Sequence, residues 1–184
     1  MKFIIIKNCK EYENEITDIF KQLVLSKLNV KIVGNDYVAY INYENNQELK
    51  DIIYAFENSF MTSIYAYISS DKEEDRLIDE EKIAIKLLDS LKPGVYTLKE
   101  ALLSNPRINF QSEILNYILK STNISEEFIK EFVKYDLNVS LASKSMFIHR
   151  NTMMYKLDKL KAESGFDLRS FKDAYILYML ISTK

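Results

Sequence analysis

Between Ser143 and Lys161 five cations, Lys144, Arg150, Lys156, Lys159 and Lys161, stand against one acid, Asp158. Set among them are an imidazole at His149, an amide at Asn151, a hydroxyl at Thr152 and a phenol at Tyr155. This mixture suits a polyanion. Cations such as Arg150, Lys156 and Lys159 neutralise phosphates and fix register. An Asn amide can pair bidentately with adenine, and a Thr methyl can touch a thymine methyl. Bond-making chemistry is not indicated. His149 is the single His, and a catalytic imidazole needs a nucleophile and an orienting partner, which its neighbours do not supply. Two readings of His149 remain, a DNA contact and a structural role at a helix start. The lone Cys9 excludes a disulfide framework, and with one His a zinc cage has too few ligands. Cys9 reads as a small buried hydrophobe. Neither an enzyme nor a bound cofactor is expected.

These groups need a scaffold that presents them together. Val139 to Met146 has a small-residue centre that lets one helix approach another. Phe147-Ile148 makes a short apolar turn, and His149 opens a second helix running to about residue 164. Ser140 is a candidate N-cap for the first helix and Gly165 a candidate stop for the second. Two helices joined by so short a turn form a helix-turn-helix unit. At about 100° per residue, Met153, Leu157, Leu160 and Ser164 share one side, while Asn151, Tyr155 and Ala162 point nearly opposite. Thr152, Asp158 and Lys159 lie beside the outward set, and Lys156 and Met154 fall on the flanks. A recognition helix meets base edges with its N-terminal residues, which is where the polar groups sit. Asn151 and Thr152 could equally satisfy free N–H groups of the first turn, and the two roles are compatible. Tyr155 could instead serve a protein interface.

The ordered run His149-Arg150-Asn151-Thr152, then Tyr155-Lys156-Leu157, preceded by Asn138, Ser140 and Ala142 and followed by Gly165, Asp167 and Leu168, resembles the C-terminal helix-turn-helix of the PucR/CdaR family of bacterial transcription regulators. The resemblance covers about residues 122–181, with Phe171 to Ile181 as the closing helix. It implies double-stranded DNA as partner, a homodimer on paired half-sites, and DNA contacts from His149, Arg150, Asn151, Thr152, Tyr155, Lys156 and Lys159. Ser143, Met153 and Lys156 depart from the family's usual Ala, Leu and Arg. Lys156 lacks the planar fork of Arg, and Met154 replaces a common basic residue. A rival reading keeps the helix-turn-helix shape in a protein-interaction adaptor that does not bind DNA.

The first 70 residues read as alternating strands and helices in the order βαββαβ, which favours an antiparallel sheet with helices on one face. Lys2 to Lys7, Val30 to Val33, Tyr37 to Tyr43 and Thr62 to Ile68 are strand-like; Glu11 to Leu28 and Gln47 to Phe60 carry helical apolar stripes. Gly34-Asn35-Asp36 marks a tight hairpin. Its position resembles the signature hairpin of a degenerate GGDEF-like domain, common before the DNA-binding helices in the same family, within a ferredoxin-like arrangement. The paired glycines and acidic pair are missing, so cyclase chemistry is not expected. The charge-crowded Asp71 to Glu81 reads as a solvated loop entering a helix whose acids suit the positive end of its dipole. That helix stops at Pro93-Gly94, and everything beyond reads helical, beginning with a capping box at Thr97 and Glu100.

The chain has 184 residues, 47% apolar and 28% charged, with net charge −2, so wholesale disorder is excluded. Residues 122–184 carry ten basic against eight acidic side chains, the reverse of the acidic remainder. No apolar run approaches the roughly 18 residues of a membrane span. The expectation is a cytoplasmic α+β protein: an α+β domain over 1–70, a helical connector over 71–121 and a helix-turn-helix domain over 122–184. Thirteen Tyr residues exceed what a small core absorbs. Tyr65, Tyr67, Tyr175 and Tyr178 are candidates for a dimer interface, and Phe166 and Phe171 for core or that same surface. A small-molecule effector is left undefined.

Overall fold

The computed structural model describes residues 1–24, 28–70, 74–106, 108–120 and 122–182. The fold is α+β. Two compact units make it up, Met1–Asn105 and Pro106–Lys184, so the expected connector 71–121 is divided between them.

In the first unit the elements run β1 (Lys2–Ile6), a 3-10 turn (Lys10–Tyr12), α1 (Glu13–Leu23), β2 (Asn29–Val33), β3 (Asp36–Ile41), α2 (Asn46–Phe60), β4 (Tyr65–Ile68), α3 (Glu74–Leu88), β5 (Gly94–Tyr96) and α4 (Leu98–Ser104). The sheet order is β2-β3-β1-β4-β5. β1 lies at its centre, antiparallel to β3 with Ile4 opposite Ala39 and to β4 with Ile4 opposite Ile68. β2 and β3 form the expected hairpin through Gly34-Asn35, where Gly34 takes φ +64°, a conformation that costs glycine little. Ile4, Ile6, Tyr37, Ala39, Ile41, Ala66 and Ile68 cover one face and bury Ile16 and Phe20 of α1 with Leu49, Ile53 and Phe56 of α2.

Two expectations need correction. Helices cover both faces of the sheet, because α3 packs on β1 and β4 opposite α1 and α2. All five residues of β1 are buried, as a continuous apolar run requires when each face has a partner. On the α3 side the Phe3 and Tyr67 rings stack at 5.8 Å, and Tyr67 donates its hydroxyl hydrogen bond to Glu80 at 2.8 Å. The wholly buried Tyr67 is therefore core and not interface, whereas Tyr65 is half-buried. Secondly, Gly94–Tyr96 is a strand and not helix. It adds β5 parallel to β4, with Ala66 opposite Val95, so the sheet is mixed. The capping box holds: Glu100 accepts from the Thr97 backbone N–H at 2.9 Å and opens α4. Cys9 is buried, which pushes its thiol up to about 11.

The second unit is helical: α5 (Gln111–Leu119), α6 (Glu126–Lys134), α7 (Val139–Ser145), α8 (Arg150–Ser164) and α9 (Phe171–Ser182). α9 packs on α5 and α6, α7 on α6 and α8, and α5 also meets α8. α5 lies in the stretch read as connector, but it buries Ile114, Leu115, Tyr117 and Ile118 and belongs to this core. Phe166 is buried as well. Phe171, Tyr175 and Tyr178 are exposed on α9, so those three are surface and not core.

Candidate nucleic-acid interface

The polar tip of α8 is set by what lies before and beneath it. α7 starts from Asn138, whose Oδ1 accepts from the backbone N–H groups of Ser140 and Leu141 at 3.0 and 3.1 Å. Asn138 is thus the N-cap in place of the expected Ser140, which already lies in the first turn. Ala142 and Ser143 are buried, and their small side chains let α7 settle against α8. At the end of α7 the Ile148 N–H donates to Ser143 O at 3.0 Å and the Phe147 N–H to Lys144 O at 3.2 Å. This paired closure satisfies carbonyls that the helix end would leave open, and it places Phe147 in the left-handed region at φ +52°.

α8 then begins at His149. Its Nδ1 accepts from the Asn151 backbone N–H at 3.1 Å, so in this geometry the imidazole proton sits on Nε2. The structural reading of His149 as a helix start is what the geometry displays, and the ring is exposed as well. Beneath the helix, Met153, Leu157 and Leu160 are completely buried. Ser164 donates to Leu160 O at 2.6 Å and accepts from Phe166 N–H at 3.1 Å. Gly165, at φ +80°, ends the helix as expected.

The opposite side is open. His149, Arg150, Asn151 and Thr152 are all exposed, and Tyr155 keeps 67% of its surface. Among the described residues, the side chains of Arg150, Asn151, Thr152 and Tyr155 engage no intramolecular hydrogen bond or ion pair. One cation, two amide or hydroxyl groups and a phenol are therefore gathered at one helix tip with their bonding capacity unspent. Lys159 is half-buried one turn beyond Tyr155.

Lys156 is the site residue that the fold separates from the others. It is half-buried, and its ammonium lies 5.5 Å from the centre of the Phe128 ring. There it shares a polar cleft with Glu127, Glu131 and Ser145, on the flank that faces α6. Lys161 is also engaged, 3.2 Å from Asp167.

Arg169 was not singled out in the sequence, yet it controls the charge of this surface. Its guanidinium lies 2.8 Å from Asp158 Oδ1, and its Nε donates to Asp167 Oδ1 at 2.8 Å. Asp158, the sole acid between Ser143 and Lys161, is thereby balanced. The Arg169 side chain, aided by its own N–H and by Lys161, holds the Asp167 carboxyl down at about 2. The Asp167-Leu168-Arg169 run hints at a local turn. Only the folded loop brings Arg169 to a residue eleven positions earlier.

Residues 127–182 match the family model described as the PucR C-terminal helix-turn-helix domain, within the 122–181 stretch that carried the resemblance apart from its last residue. An uncharacterised Bacillus subtilis (strain 168) protein, YxkF, is 33% identical over 69 residues, covering 38% of this chain and 23% of that protein. The carbohydrate diacid regulator of Escherichia coli (strain K12) is 30% identical over 95 residues, covering 52% of this chain and 22% of the regulator. This chain thus spans less than a quarter of the length of either curated relative. A crystal structure of a regulator of polyketide synthase expression from Bifidobacterium adolescentis aligns with 99% of this chain and 78% of its own, at a TM-score of 0.48 and 13% identity.

Proposed function

We propose that this protein is a transcription regulator that binds duplex DNA sequence-specifically through the N-terminal end of α8. The observation that carries the reading is the exposed, unpartnered set Arg150, Asn151, Thr152 and Tyr155 on a helix whose other side is wholly buried. A major groove about 12 Å wide admits such a helix, and base edges accept what Asn and Thr offer. Arg150, Lys144 and Lys159 supply phosphate contacts, with His149 adding a donor from Nε2. Lys156 serves as packing first, because Phe128 already faces its charge. The match of residues 127–182 to a regulator-type helix-turn-helix agrees with this assignment. The protein acts in the cytoplasm as a homodimer, so that two tips meet half-sites about one helical turn, roughly 34–36 Å, apart. No covalent chemistry belongs to the role.

The adaptor reading draws on Lys156 and Lys161 being occupied within the domain. Selection of duplexes from a random pool by the full chain, followed by titration across salt, decides between the two. A regulator enriches a consensus and loses affinity linearly with the logarithm of salt concentration. An adaptor enriches none and retains no duplex even at low salt.

A further inference from the structure

Phe147 is 96% exposed and stands in the left-handed region at φ +52°, where an L side chain is disfavoured and Gly or Asn is the ordinary choice. Both costs fall on one residue, and although the turn sets the backbone angle, it does not call for a bulky side chain there. The two hydrogen bonds that close it, Ile148 N–H to Ser143 O and Phe147 N–H to Lys144 O, use backbone atoms alone, so a glycine would form them as well. The ring therefore does nothing for the fold that its removal would undo. What it does have is position: the turn fixes it two residues before His149, on the approach to the open tip of α8.

We infer that the Phe147 ring is a specificity-determining residue that packs on the C5-methyl of a thymine in the bound duplex. The inference rests on the DNA-binding reading of α8. In the major groove that methyl is the most prominent apolar group on the base edges, and Phe is among the side chains able to contact it. An apolar ring at the rim of an amide, hydroxyl and guanidinium surface adds a larger apolar contact than the Thr152 methyl alone can make. Strain held by an exposed residue beside a binding surface agrees with a role in the complex.

Met61 provides an internal control. It too is left-handed, at φ +49°, 94% exposed, and placed at the end of a helix, α2, in the sheet unit. Full-length wild type, Phe147→Gly, Phe147→Asn and Met61→Gly are compared on a duplex selected by the wild type, and on a set in which each thymine is replaced singly by uracil. Both glycine variants should melt no lower than wild type. Met61→Gly should bind as wild type does, while Phe147→Gly and Phe147→Asn should bind about tenfold more weakly, as loss of an aromatic contact implies. At one position the uracil duplex should cost the wild type about fourfold, the worth of one buried methyl. The Phe147 variants should lose nothing there. Wild-type affinity in Phe147→Gly, or equal uracil sensitivity in wild type and variants at every position, overturns the inference while leaving α8 as a DNA reader. Loss of self-association in Phe147→Gly with duplex binding unchanged overturns it likewise. If the wild type selects no duplex, the reading of α8 itself falls and takes this contact with it.

Discussion

Arg169 and Asp158 form an ion pair of 2.8 Å across eleven residues of sequence, tying the loop after Gly165 to the exposed side of α8. Asp158 would otherwise set a lone negative charge against DNA phosphates. Arg169→Ala should therefore weaken duplex binding by about threefold at low salt, in line with the modest worth of an exposed pair. Asp158→Asn in that background should restore it. Fluorescence anisotropy on the four members of this cycle measures the coupling, and additive effects would show that the pair is irrelevant to binding.

Asn151 and Lys159 should fail in different ways. If Asn151 reads a base as proposed, Asn151→Ala should cost about 1–3 kcal/mol at one base position, relaxing preference there. Lys159→Ala should weaken binding evenly across sequences and reduce the salt slope by about 1. Affinities on single-base variants of a selected duplex, at several salt concentrations, separate the two patterns.

His149 also has a structural duty that can be isolated. His149→Ala deletes the acceptor for the Asn151 N–H and should destabilise the helical unit by about 1 kcal/mol. His149→Asn restores a side-chain acceptor and should recover most of that. Thermal unfolding of the full-length variants reads the difference, and no loss in either would assign the ring a purely binding role.

Acid should loosen the loop around Asp167. Its folded carboxyl sits at about 2 because Arg169 pairs with it, against about 3.9 in an unfolded chain. A depressed carboxylate contributes its stabilisation above the unfolded value and loses it as pH falls toward the folded one. Wild type should accordingly lose stability between about pH 4 and 2 more steeply than Asp167→Asn. Urea unfolding at stepped pH checks this, and parallel profiles would contradict it.

Leu157 is completely buried under α8. Leu157→Ala should cost about 2–5 kcal/mol, the usual range for emptying such a site. Circular dichroism melting gives the value, and a loss below about 1 kcal/mol would mean that the helix is held mainly from elsewhere.

Periodicity made α8 readable in advance: Met153, Leu157, Leu160 and Ser164 turn inward as their spacing dictates, and Asn151, Thr152 and Tyr155 turn out. The hairpin at Gly34 and the stop at Gly165 were legible for a related reason, since a left-handed residue leaves a compositional mark. Other features depend on distant partners. β5 has three residues, too few to show alternation, and becomes a strand because β4 offers it an edge. The second helical layer was foreshadowed by Phe3, Ile4, Ile5 and Ile6 in succession, which one covered face cannot explain. Lys156 lies on a flank by spacing, but its turn toward Phe128 depends on where α6 comes to rest. Arg169 was out of reach for the same reason. In α7, Asn138 took the cap that Ser140 seemed to claim, because boundaries read from sequence drift by a residue or two.

The seclusion of Cys9 has a practical use. The one sulfhydryl of the chain is shielded inside the sheet unit and held as a neutral thiol, so it offers little to a maleimide. A cysteine introduced at exposed Ala162 would then carry a dye at a single address, and the light it emits would report the arrival of a ligand at α8 without background from the rest of the molecule.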